Sequence, residues 1–149
     1  FQDPVEILST GTIGVAAATD ALLGSLNGVF FTDATTSKPT FANHLNASNT
    51  ATDIKGFVTD DPYQRYEIQA DGATAAADVG LNADIVYAAG SSPDYVSKVE
   101  LQTSDQKTGT AQLRIIGISK DPENNTAGSA NVNLVVIINE HQLKGTTGV

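Results

Sequence analysis

The stretch Asn131-Val132-Asn133-Leu134-Val135-Val136-Ile137-Ile138-Asn139 decides the fold class. Side chains alternate across a strand with period two, so Val132, Leu134, Val136 and Ile138 share one face. Val135 and Ile137 form the centre of the other face, with Asn131, Asn133 and Asn139 at its rims. A strand apolar on both sides in its middle is expected to sit centrally in a sheet, covered on both faces. Its neighbour in sequence, Ala111–Ser119, places Leu113 and Ile115 on one face and Arg114, Ile116 and Ile118 on the other. Between them, Lys120–Ala130 holds Pro122, Gly128 and several Asn residues, the composition of a long hairpin loop.

The same period extends outward toward the amino terminus. Strands are expected at Thr12–Ala17, Val29–Asp33, Ile54–Thr59, Gln64–Ala70, Ala83–Ala88 and Ser97–Gln102. Asn27-Gly28 and Asp71-Gly72 read as turn dipeptides, because these residues adopt positive φ cheaply. Two short helices are expected. Thr19–Leu26 has a capping Thr19 or Asp20 and a stop at Asn27-Gly28, and the Ala-rich Ala73–Val79 ends at Gly80. The expected fold is all-β, a mainly antiparallel β-barrel or sandwich with one or two short helices, forming a single β domain over 1–149. A flexible tail is expected at about 144–149.

Composition narrows the function. Seventeen acidic residues oppose eight basic ones, for a formal net charge of -9, and the eight cations are scattered without a run. Nucleic-acid binders gather Lys and Arg on one surface to displace phosphate counterions, so no nucleic-acid partner is expected. The absence of cysteine removes disulfides, thiolate metal sites and Cys nucleophiles together. The uncharged run 7–19 lacks the basic residues of a targeting signal, with Asp3 and Glu6 where a positive segment would lie. It is also too short and too rich in Gly, Ser and Thr to cross a bilayer, so no membrane association is expected. A first residue other than Met leaves room for residues ahead of Phe1.

Catalytic chemistry finds little to work with. His44 and His141 are the two histidines, and neither belongs to an HxH or HExxH spacing. His141 follows Glu140, which reads either as an oriented base beside a carboxylate or as an imidazole hydrogen-bonded at a strand end or subunit contact. Gly24-Ser25 and Gly90-Ser91 are plain loop pairs rather than a nucleophile elbow. Asp60-Asp61-Pro62, with Asp71 beyond, lacks the alternating oxygen donors of a calcium loop and reads as a turn. Asn46-Ala47-Ser48 and Asn124-Asn125-Thr126 are glycosylation sequons of a kind that chance supplies in so Asn- and Thr-rich a chain. The expectation is a non-enzymatic protein with no cofactor and no metal site.

Surface for partners remains. The amino-terminal stretch carries Phe1, Val5, Ile7, Leu8 and Ile13, more apolar than a free chain end. It reads in two ways: as an arm over about 1–14 that docks on a partner or an open sheet edge, or as an ordinary first strand. The candidate interface residues are Phe1, Val5, Ile7, Leu8 and His141.

Five segments, in order, resemble a known family. GVFFTDATTSKPTFANH (28–44) and GFVTDDPYQRYEIQADG (56–72) are similar to segments of small structural proteins of marine and related tailed phages. ADVGLNADIVYAAG (77–90), AQLRIIGISKDPEN (111–124) and VVIINEHQL (135–143) continue the likeness, which spans about residues 28 to 143. No single piece is specific; the order of the pieces and the ending INEHQL carry it. The family resembled is that of head decoration, or cement, proteins. The resemblance implies a homo-oligomer, with a trimer favoured, that binds the major capsid protein on the outer head surface of the virion after assembly in the host cytoplasm. An alternative is a β module of a viral fibre, spike or cell-surface adhesion protein that binds a receptor or glycan through exposed Tyr63, Tyr66, Tyr87 or Tyr95. A third reading, a hydrolase using His141 and Glu140, has the least behind it.

Overall fold

The computed structural model describes residues 1–145. The protein is all-β and antiparallel, a sandwich-like pair of sheets and not a closed barrel. The first sheet takes β1 (Pro4–Ile7), β2 (Ile13–Val15), β3 (Gly24–Thr32), β4 (Pro39–Ala42) and β5 (Lys55–Thr59). β3 is its spine. One edge of β3 pairs with β1 and β4, the other with β5, and β2 pairs with the far side of β1. The second sheet runs β6 (Arg65–Gln69), β11 (Asn133–Ile138), β10 (Leu113–Ile118), β7 (Asn82–Ala83) in that spatial order. A two-residue ribbon of β8 (Ile85–Val86) and β9 (Glu100–Leu101) lies beside it. Among the described residues, no helix is long and apolar enough to cross a membrane.

β11 occupies the interior of its sheet, as its apolar centre predicts. Leu134, Val136 and Ile138 are fully buried and meet Leu113 and Ile115 of β10. Leu22 and Ala16 from the first sheet's side and Ile85 and Leu101 from the ribbon complete this core. Each such side chain contributes about 1.5–3 kcal/mol relative to exposure. Cover on the second face is thinner than the pattern predicts. Val135 and Ile137 are only half-buried, opposite Glu67 and Arg65 of β6.

β10 departs from strict alternation. Its register with β11 shifts between Ile115 and Gly117, so Ile116 bulges and Ile118 comes opposite Leu134. One extra residue flips everything beyond it to the other face. Ile118 therefore packs on the core side, whereas simple alternation assigns it to the outer face with Arg114.

Neither expected helix forms as such. In place of a helix at Thr19–Leu26, the Leu22 N–H goes to the Glu140 carbonyl at 2.9 Å, and Gly24–Leu26 enter β3. Asp20 caps a turn instead, accepting the Ala17 N–H at 2.8 Å. Tertiary pairing overrides the local preference. Ala73–Val79 shrinks to a 3-10 turn, Ala76–Asp78, before Gly80 at φ +101°. Asn27-Gly28 is not a chain reversal but a bulge inside β3.

The amino-terminal segment is a strand, not an arm. Pro4–Ile7 is held between β2 and β3, and the Gln2 N–H reaches the Leu26 carbonyl at 2.7 Å. At the other end, Lys144, the first residue of the tail expected at 144–149, belongs to a turn instead. Gln142–Lys144 form a 3-10 turn, with the Lys144 Nζ 3.2 Å from the Ile138 carbonyl, and residues 146–149 lie outside the described residues.

Candidate interaction surfaces

The carboxyl-terminal segment ties the two sheets together. Leu22 and His141 form a parallel bridge, through Leu22 N–H to the Glu140 carbonyl and Gln142 N–H to the Leu22 carbonyl, each at 2.9 Å. The buried Gln112 adds a second tie. Its Oε1 accepts the Ile85 N–H at 3.0 Å, and its Nε2 donates to the Ala17 and Asp20 carbonyls at 2.8 and 2.7 Å. Nearby, Asp84 is 5% exposed and satisfied by the Gln112 N–H and the Lys107 ammonium, both at 3.0 Å. Lys107 also reaches Asp105 at 2.6 Å; these contacts push the Lys107 pKa up and the Asp105 pKa down.

The sequence-derived candidates separate against this frame. Val5 is 2% exposed and His141 3%, so both belong to the interior and offer a partner nothing. Ile7 is half-buried, and its backbone is held by Gln142. Phe1 is half-exposed, its ammonium donating to the Tyr95 carbonyl at 2.9 Å. Leu8 is exposed and packs against Gly14. These five residues do not form one surface. The segment looked apolar because β1 needs one core side chain, Val5.

His141 is a structural imidazole. Its Nδ1 accepts the Leu143 N–H at 3.1 Å, which starts the 3-10 turn Gln142–Lys144, and its Nε2 is buried without a hydrogen-bond partner among the described residues. Burial, then the positive charge of Lys144, holds its pKa below the usual histidine range; Asp60 and Asp61 pull weakly the other way. Glu140 contributes a backbone carbonyl to Leu22. His44 stacks on Tyr95 with ring centroids 3.8 Å apart and hydrogen-bonds Asn43. Asp61 accepts the Tyr63 N–H, and Asp71 accepts the Thr103 N–H and hydroxyl, so both shape turns. Among the described residues, no cluster of three His, Asp or Glu side chains has the arrangement to hold a metal ion.

Two surfaces stand out instead. The first is aromatic. Phe41 of β4 is 65% exposed, Phe57 of β5 is 47% exposed, and their rings lie 5.4 Å apart in a tilted pair. Phe30, directly opposite Phe41 in the ladder, stands beside them half-buried. Gly28 makes the pair possible: a Cβ there would press on the Phe41 ring at 3.0 Å. Sequence reading passed over these rings, although Lys55-Gly56-Phe57-Val58-Thr59 signals them by placing Phe57 on one face with Lys55 and Thr59.

The second is a cleft of about 790 Å³ along β6. Arg65–Gln69 form one wall and Ser97–Glu100 the other, with Pro4 and Gly24 at one end and Ile85, Leu113, Val136 and Ile138 on the floor. Tyr66 stands in its wall with its hydroxyl on the Thr59 carbonyl at 3.0 Å, and burial followed by the charges of Asp61 and Asp60 raises its pKa. Of the other tyrosines, Tyr63 is the most exposed, at 78%, with the Lys144 ammonium 4.8 Å above its ring. No family model, curated protein or solved structure matches this chain.

Proposed function

We propose that this protein is a non-catalytic structural component that decorates the outer surface of a tailed-phage head and bridges neighbouring major capsid subunits. The observation that carries the protein-binding part is the Phe41–Phe57 pair. Two phenylalanines lie side by side on a sheet face, both largely open to solvent among the described residues. Aromatic rings are enriched in the buried centres of protein interfaces, and contiguous exposed apolar surface on a soluble domain marks such sites. The phage part is supported by the resemblance over residues 28–143, two of whose segments contribute Phe41 and Phe57 themselves. A net charge of -9 suits a position outside the shell, away from packaged nucleic acid. The favoured state is a homotrimer, in which three modest interfaces reinforce one another through effective concentration. His141 is buried with its Nδ1 on the Leu143 N–H, and Glu140 gives its backbone carbonyl to Leu22, which favours the structural role for this pair.

Gradient sedimentation of the source lysate, with quantitative mass spectrometry of the particle fraction, tests this. Co-migration with intact heads at near-stoichiometric ratio to the major shell protein is the expected result. A few copies per particle would point to a fibre or spike module, for which exposed Tyr63 is the candidate glycan-facing ring. A chain that stays at the top of the gradient overturns the proposal.

A further inference from the structure

The cleft along β6 is shaped for a strand. Among the described residues, β6 ends its sheet, paired with β11 on one side only. Hydrogen-bonded and non-bonded pairs alternate along an antiparallel ladder. Ala70, opposite Val132, donates to its carbonyl at 3.0 Å. By alternation Ile68 and Tyr66 also turn their backbone groups toward β11, while Glu67 and Gln69 turn theirs toward the cleft. Asp71, next in that outward series, donates to the Leu101 carbonyl at 3.0 Å. The edge thus already accepts backbone at its far end, where Ala70 and Leu101 form a parallel bridge. Ser97, Lys98 and Val99, ahead of that contact, line the same cleft. Between the walls the floor is core side chain, and Tyr66, Ile68 and Val99 remain only partly buried beside it.

We infer that this cleft receives an extended strand from a different protein, which adds to the free edge of β6 and seats alternate aliphatic side chains on the floor. The inference rests on the protein-binding reading above and names the form its partner takes. An open backbone edge favours an extended peptide over a helix or a small apolar ligand, because only a strand offers N–H and C=O groups at matching intervals. The donor is not this chain's own apolar end, since Pro4–Ile7 is already paired with β2 and β3. Arg65, Glu67, Lys98 and Glu100 place both signs of charge along the walls, which suits a donor whose polar positions alternate with its apolar ones.

The test uses the isotope-labelled full chain and a set of synthetic ten-residue peptides that alternate Thr, Lys or Glu with Val, Leu or Phe. Binding peptides are expected to slow exchange of the Glu67 and Gln69 amides at least tenfold. Glu67→Pro removes an outward N–H without breaking a bond to β11, and Ser97→Trp fills the cleft from the other wall. Each variant, checked for folding by circular dichroism, is expected to weaken binding at least tenfold, while Lys120→Ala, at an exposed position outside the cleft, leaves it unchanged. The inference is overturned if no peptide at millimolar concentration slows those two amides, or if binding persists in both cleft variants. Failure to sediment with heads, with peptide protection intact, removes the phage reading and leaves the strand acceptor standing. Sedimentation with heads but no amide protection does the reverse.

Discussion

The side-chain amide of Gln142 completes the edge of β1 at Ile7. Its Oε1 takes the Ile7 N–H at 2.6 Å and its Nε2 gives a hydrogen to the Ile7 carbonyl at 3.1 Å. One carboxamide thus stands where a neighbouring strand would be, beyond the point where the β1–β3 pairing ends at Val5. Gln142→Leu keeps the approximate volume and leaves both Ile7 groups unmatched. Each orphaned group costs about 1–3 kcal/mol. The expected result is a fall in thermal midpoint of several degrees, read by differential scanning calorimetry, with the secondary structure unchanged.

His141 makes stability depend on pH in a defined direction. Its folded-state pKa lies below the ordinary histidine value of about 6.5, so the unfolded chain binds more protons between the two values. The contribution is fully present above about pH 6.5 and is lost as pH falls from there through the folded-state value. Urea midpoints measured from pH 7.5 down to 5 are expected to decline for the wild type. His141→Phe is expected to flatten this part of the profile, at some cost in stability at pH 7.5 from the lost Leu143 contact. An equal decline in both proteins would show that another group is responsible.

Two glycines test how tightly the first sheet is built. A Cβ on Gly24 would fall within the radius of the Thr59 backbone carbonyl, which can move only by displacing β5. A Cβ on Gly56 would meet the tip of the Ile13 side chain, which can rotate away. Gly24→Ala is therefore expected to cost about 3 kcal/mol or more and Gly56→Ala about 1 kcal/mol, on the scale of overpacked interiors. Equilibrium denaturation of the two variants compares them directly, and a reversed order would refute the backbone-versus-tip distinction.

For the aromatic face, function and fold should part company. Phe41→Ser together with Phe57→Ser removes exposed surface, so stability is expected to change by no more than about 1 kcal/mol. Particle association is expected to fall at least tenfold by co-sedimentation. Loss of folding in the double variant would mean instead that the rings brace β4 and β5 against each other.

Much of the β-sheet core was legible because burial and period agree there. Leu134, Val136 and Ile138 announce their face without ambiguity, and they are buried as read. Single residues that shift the register are silent in such a pattern. Ile116 looks like any other apolar residue in its strand, yet its bulge moves Ile118 to the core. The Asp20-Ala21-Leu22-Leu23 stretch reads as a helix start, because the Glu140 carbonyl that claims the Leu22 amide is 118 positions later in the chain. The candidate surface was less legible for a related reason. An apolar residue in a sequence looks the same whether it enters the core, as Val5 does, or stands in water, as Phe41 does.

The Leu22–His141 bridge also orders events in time. A ribosome delivers Leu22 long before His141, so the join between the sheets has no partner while the residues between them are made. β11, which holds the middle of the second sheet, arrives nearly as late. Until β11 emerges, the edge of β6 that it will cover stays open, and β10 waits for the same strand. Non-local pairing of this kind folds slowly and leaves partial chains prone to aggregation. Chains truncated before residue 131 should therefore accumulate in the insoluble fraction, whereas a chain that carries β11 and His141 can close both sheets.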